Sequence, residues 1–181
     1  MYLKLFQSLF IIMTIYGCQP FLTQNNYSES CNNENDQNFV NLNYPSNFPN
    51  LVMPSDNPLT QEGVELGRHL FYDPILSSDN TVSCASCHKQ ENAFSDPSQY
   101  STGVNQSVGD RNASTIINPG WQLFFDWDGK SNSLEEQASR PIFNAIELHN
   151  MSWLEVISRL EESELYIELF CKAFNAEYID S

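Results

Sequence analysis

Cys84-Ala85-Ser86-Cys87-His88 is the stretch on which the reading of this chain turns. Two thiols one helical turn apart can each add to a vinyl group of a porphyrin, and the histidine that follows presents its imidazole to the iron. The motif therefore points to one covalently bound c-type haem, attached through Cys84 and Cys87 and axially ligated by His88. Polar neighbours (Ser83, Ser86, Lys89 and Gln90) suit a partly exposed turn over the haem edge. Two other readings compete. A structural zinc site needs a second pair of ligands at similar spacing, whereas Cys31, Cys171, His69 and His149 are scattered singly. A dithiol redox motif needs a βαβ context, and none is visible. The motif occurs once in the chain.

Towards the N-terminus, residues 1–17 carry one charge, Lys4, and a mostly apolar run from Leu5 to Tyr16 broken by Gln7, Ser8 and Thr14. The run is too short to span a bilayer and reads as an export signal. It ends at Ile15-Tyr16-Gly17-Cys18, which resembles a bacterial lipoprotein box and makes Cys18 the expected lipidation site. Plain secretion or an uncleaved anchor are the alternatives, since Tyr16 is bulky for its position. Each places the domain outside the cytoplasm, in the periplasm or cell envelope, and the lipoprotein reading limits membrane contact to a lipid anchor. Residues 18–50 are rich in Asn, Ser and Gln and read as a disordered tether. The folded domain is expected over 51–181.

A chain of 181 residues fits one domain plus such a tail. Its net charge of −15 is spread along the sequence and excludes nucleic acid, whose phosphates demand a basic surface. The same charge suits a small basic redox partner, or simply solubility. Beyond the haem thiols and Cys18, Cys31 and Cys171 remain, either as a disulfide in an oxidising compartment or as two unrelated thiols.

The predicted elements are helices and loops. Thr60 is a good N-cap for a helix carrying Val64, Leu66, Leu70 and Phe71, which stops at Asp73-Pro74. Residues 90–132 are dense in Ser, Asn, Gly and Pro. Their interleaved Phe94, Trp121, Phe124, Phe125 and Trp127 argue for an ordered loop wrapped over something apolar. Ser133 with Glu136, and Ser152 with Glu155, form capping boxes that open two helices, the first ended or kinked by Pro141. A last amphipathic segment runs from Leu165 to Phe174. No stretch alternates as a strand, so the class is all-α: a cytochrome c-like haem domain with long ordered loops.

The run from Leu66 to Pro74 and the haem motif resemble the bacterial di-haem cytochrome c peroxidases. So do Phe94-Ser95-Asp96, Gly109-Asp110-Arg111-Asn112, Trp127-Asp128-Gly129, Leu134 to Ala138 and Pro141 to Glu147. The resemblance covers roughly residues 51–174, and only the N-terminal half of that family, whose haem reduces hydrogen peroxide with electrons collected by a second haem domain from a small cytochrome or cupredoxin. It implies that Cys84, Cys87 and His88 hold the peroxidatic haem and that Glu147 is the distal acid–base group. Heterolysis of a peroxide needs such a group, to take the proton of the inner oxygen and return it to the leaving hydroxyl. Gln137 matches a polar residue near the peroxide pocket; an exposed position on its helix is the plain alternative. Trp127 matches a tryptophan between the two haems, and Asn112 a ligand of an interdomain calcium, with Arg111 beside it.

Two departures from the family stand out. Many members carry a His that ligates the resting peroxidatic iron; counting back from Arg111, that position is Val104, so the haem is expected to be five-coordinate or capped by another group such as His149. His69 reads as a surface residue. The second departure is the single haem motif, which points to a truncated product or to a second haem on another polypeptide. The rival function is a mono-haem electron shuttle with Met151 as sixth ligand; a third reading is a haem-binding remnant that cannot turn over.

Overall fold

Thr60 turns an extended approach into the first helix, its hydroxyl accepting from the Gly63 N–H at 3.0 Å. The computed structural model describes residues 38–55, 57–176 and 178–180. The stretch expected to be an export signal, with Cys18 and Cys31, lies outside the described residues. Helix α1 spans Gln61–Tyr72, α2 is the single turn Cys84–Cys87, α3 spans Leu134–Phe143, α4 Trp153–Glu161 and α5 Glu164–Phe174. Among the described residues strand pairing is confined to four isolated bridges: Phe39 with Thr60, Lys89 with Ser95, Thr102 with Val108 and Phe125 with Ser131. The helical class read from the sequence is therefore the class observed. None of these helices is long and apolar enough to cross a membrane.

The expected caps form, with one difference. Ser133 accepts from Glu136 N–H at 3.1 Å and Ser152 from Glu155 N–H at 3.4 Å. Each glutamate, however, returns its bond one residue earlier than a capping box would, to Asn132 N–H and Met151 N–H, both at 2.9 Å. Pro141 lies inside α3, which continues to Phe143 before Asn144 ends it. A proline in the last turn leaves few downstream bonds to disturb.

Helix α1 packs across α5 and against α2, and α4 packs on α5. Leu66 of α1, Val156 and Leu160 of α4, and Tyr166 and Leu169 of α5 form one buried cluster. Val82, Val104 and Leu148 join it from the loops. Each fully buried aliphatic side chain there contributes about 1.5–3 kcal/mol. The loops that carry chemistry are thus anchored by apolar residues in the same core as the helices.

Residues 38–50, which composition assigns to the tether, lie along the domain. Val40 N–H donates to Leu59 O at 2.9 Å and Gln61 N–H to Asn38 O at 2.8 Å. Tyr44 and Phe48 set their ring edges against Trp121 at 5.2 and 5.1 Å, while the Trp121 indole donates to Pro49 O at 2.9 Å. Aromatic contact and backbone pairing outweigh the polar composition. The wrapped loop is ordered as expected, but only Phe125 of its aromatic residues is buried; Phe124 and Trp127 are exposed.

Cys171 is disulfide-bonded and buried, with its partner outside the described residues. That excludes the reading of Cys171 as an unrelated free thiol.

Candidate haem site

The attachment turn is set up from both ends. Before it, buried Ser77 accepts from Thr81 and Val82 N–H at 3.0 and 3.2 Å and so fixes the loop that delivers Ser83. Ser83 caps α2 in exchange with Ser86, whose hydroxyl accepts from Ser83 N–H at 3.1 Å. Cys84 and Cys87 are free, partly exposed thiols on this turn. Burial raises both above the ordinary thiol range, and the charge of Glu147 acts in the same direction on each.

His88 follows at the helix C-cap, its Nδ1 3.1 Å from Phe94 O. A carbonyl can only accept, so Nδ1 carries the proton and Nε2 keeps its lone pair for a metal. The carbonyl is turned towards the ring by two successive left-handed residues, Ala93 and Phe94, both at φ 55°. That geometry is costly for residues with a Cβ, and the loop holds it by Phe94 N–H to Lys89 O at 2.9 Å and Thr115 Oγ1 to Ala93 O at 2.5 Å.

The turn that follows α3 comes near enough for the Glu147 charge to act on both thiols. Asn144 Nδ2 donates to Glu147 Oε1 at 2.6 Å, and Leu148 N–H returns to Pro141 O at 3.2 Å. Much of the Glu147 surface is open, yet its carboxyl is desolvated by surrounding protein atoms, and the carboxyl's own surroundings govern its proton. Desolvation first, and then the Asp126 charge, raise it above the ordinary value of 4.5, against an opposing pull from Arg140. Glu147 also holds the neighbouring loop: its carbonyl accepts from Val104 N–H at 3.0 Å. A Cβ at Gly103 would lie 1.8 Å from Ile146 O, so only glycine permits this approach. Val104 itself is fully buried in the core.

Gln137, on α3, has a buried Oε1 with no hydrogen-bond partner. An unpaired buried carbonyl oxygen is costly and marks a place for a donor. Ser78 N–H donates to Leu148 O at 2.8 Å, joining the loop before the thiols to the Glu147 turn. Buried Asn150 extends that joint through Nδ2 to Leu76 O and Ile142 O at 2.8 and 2.9 Å, and Arg159 of α4 bonds its Oδ1. Sequence reasoning missed Asn150 and Arg159; neither belongs to a motif with its own chemistry.

Trp127 and Asn112 meet. The exposed Trp127 indole donates to Asn112 O at 2.7 Å, and Arg111 pairs with Asp128 at 3.4 Å. Asn112 also spends its amide inside the protein, donating to Asp96 O and Ser98 O at 3.0 and 2.7 Å and accepting from Ser95 Oγ at 3.3 Å. Among the described residues no group of three or more His, Cys, Asp or Glu could hold a metal ion. His69 is exposed, His149 is half-buried with φ 56°, and Met151 is 77% exposed.

The donor set fits a c-type haem. Two free thiols stand one turn apart, and an imidazole beside them has its outer nitrogen available.

The family described as di-haem cytochrome c peroxidase matches residues 61–181. The methylamine utilization protein MauG of Methylorubrum extorquens is 41% identical over 124 residues, which is 68% of this chain and 35% of that protein. Cytochrome c peroxidase Ccp of Escherichia coli is 36% identical over 137 residues, 74% of this chain and 30% of its own. A solved MauG-like protein associated with microbial copper homeostasis superposes with a TM-score of 0.70 at 36% identity, covering 75% of this chain and 40% of that one. The chain therefore spans about a third of the length of the curated relatives it matches.

Proposed function

The chain belongs to the di-haem cytochrome c peroxidase family, and from that premise we propose that its domain reduces hydrogen peroxide to water at a haem held by Cys84, Cys87 and His88. Hydrogen peroxide, two protons and two electrons give two water molecules. When bound, the haem supplies the redox centre through which the electrons reach the peroxide. A small c-type cytochrome is the proposed donor, passing its electrons through a second haem domain.

The residues divide the remaining work. His88, orientated by Phe94 O, offers Nε2 as proximal ligand. Glu147 takes the proton from one peroxide oxygen and delivers it to the other as that leaves; a raised proton affinity suits both halves of the transfer. Gln137 Oε1 accepts from the peroxide hydroxyl and holds it for Glu147. Val104 stands where many relatives place a switching histidine and has no lone pair to offer. No ligand from that position would therefore have to leave before peroxide could bind. Trp127, exposed and fixed through its indole, lies on the electron route from the second haem. Asn112 would add its side-chain oxygen to an interdomain calcium that draws its other ligands from that domain. The protein works outside the cytoplasm, held to the membrane by lipid on Cys18.

The observation that carries the reading is Glu147: a desolvated carboxylate whose charge is felt at both haem thiols. Glu147→Gln in the haem-loaded protein should lower peroxide turnover by about 100-fold or more, assayed with a reduced cytochrome c or a chemical donor, with the haem spectrum retained. Turnover equal to wild type would overturn the assignment.

A further inference from the structure

Asp96 is 7% exposed and lies two residues beyond the carbonyl that orients His88. Its Oδ1 receives Lys89 Nζ at 3.1 Å and Ser98 N–H at 2.9 Å, and its Oδ2 receives Ser101 Oγ at 2.8 Å. Its main-chain oxygen takes the Asn112 amide at 3.0 Å. Lys89 is the residue after the proximal histidine, and its backbone pairs with both Phe94 and Ser95. The Lys89–Asp96 pair therefore closes a ring of chain that contains the two left-handed residues and the Phe94 carbonyl. An isolated surface turn would relax such strain; this one is closed by a buried anion.

We propose that Asp96 is a positioning residue for the proximal haem ligand: its carboxylate locks the Lys89–Ser101 loop so that Phe94 O fixes the His88 ring, and its charge, paired with the residue after His88, sets the field beside that ligand. The inference rests on the haem reading of Cys84–His88 and not on the peroxide chemistry. Geometry places the charges that act there: Lys89 follows His88 in the chain, and buried Asp96 pairs with it at 3.1 Å. Burial opposes ionisation of Asp96 itself. Hydrogen bonds from Ser98, Ser101 and Lys89 overcome this and hold its carboxyl below the usual range. Hydrogen bonds to an axial ligand and nearby buried charge both tune haem iron.

The test uses the haem-loaded protein and two readouts: the ferric/ferrous midpoint potential, and the iron–histidine stretching band of the ferrous form by resonance Raman. Asp96→Asn removes an anion while leaving Lys89 charged, so the midpoint should rise and the stretching band fall as the Phe94 contact loosens. Lys89→Gln should move the midpoint the opposite way. Ser101→Ala keeps the charge and drops one bond, so it should shift the band with little change in potential. Asp96→Glu should restore part of both signals. Opposite shifts for Asp96→Asn and Lys89→Gln support the proposal, because a merely structural staple would give two losses of melting temperature and no such signs. Wild-type potential and band in every variant that retains haem would overturn it. Should Asp96→Asn fail to fold, Lys89→Gln and Ser101→Ala decide alone. Because neither readout involves peroxide, failure here is separable from failure of the Glu147 assignment.

Discussion

At Glu147 burial, and after it a second carboxylate, sets when a proton can be taken. Desolvation raises its affinity, and Asp126 raises it further through charge. A raised value means that the group stays protonated to higher pH than a free glutamate. The base form is then available only above that value, and the acid limb of kcat/KM lies above 4.5. Asp126→Asn removes the repulsion, so the acid limb should move to lower pH in a pH–rate profile, while Glu147→Gln should abolish the limb. Glu147 entered the sequence reading because it falls inside a run of residues that resembles the family. Asp126 did not: its influence comes from a fold that brings the Trp127 loop to the α3–α4 turn, and no local pattern announces that meeting.

Among the elements, the turn from α3 to α4 is the most constrained. Leu148, His149 and Asn150 N–H groups all return to α3 or its cap, and Asn150 binds Leu76 and α4 at once. Against this turn the Gly103 backbone packs with no room for a side chain. Gly103→Ala should cost about 1–3 kcal/mol, since backbone oxygens rather than a flexible side chain block the methyl group. Because those oxygens belong to Ile146 and Glu147, turnover should fall more than stability does, as denaturant melts and peroxide assays would show. The caps of α1, α3 and α4 were legible at Thr60, Ser133 and Ser152 because a cap is a local device. The helix limits around Pro141 were not, since the proline falls in a last turn already closed by Asn144. The Lys89–Asp96 ring was equally hidden; its partners are spread over residues 89–112 and have no period.

For the whole molecule, the sequence reading held where apolar residues recur at helical spacing and missed where composition alone was the guide. Asn-rich residues 38–50 lack the apolar content of a folding unit, yet Tyr44 and Phe48 find Trp121, and Asn38 and Val40 pair with the start of α1. Three aromatic residues in that stretch, Phe39, Tyr44 and Phe48, were the signal available. A version starting at Leu51 should lose about 1–3 kcal/mol from two aromatic pairs alone. Its denaturation midpoint should fall and its tryptophan emission shift to longer wavelength, with the haem spectrum unchanged. An unaltered midpoint would show that this strap contributes nothing to stability.

The strap also fixes a height. If lipid sits on Cys18, a free tether running to Leu51 would allow the domain to range about 115 Å from the bilayer at full extension. With residues from Asn38 onward laid against the domain, at most about twenty residues can add reach, so the ceiling drops to no more than about 70 Å, and the Cys171 disulfide can only lower it. A soluble electron donor would have to deliver within that shell above the membrane.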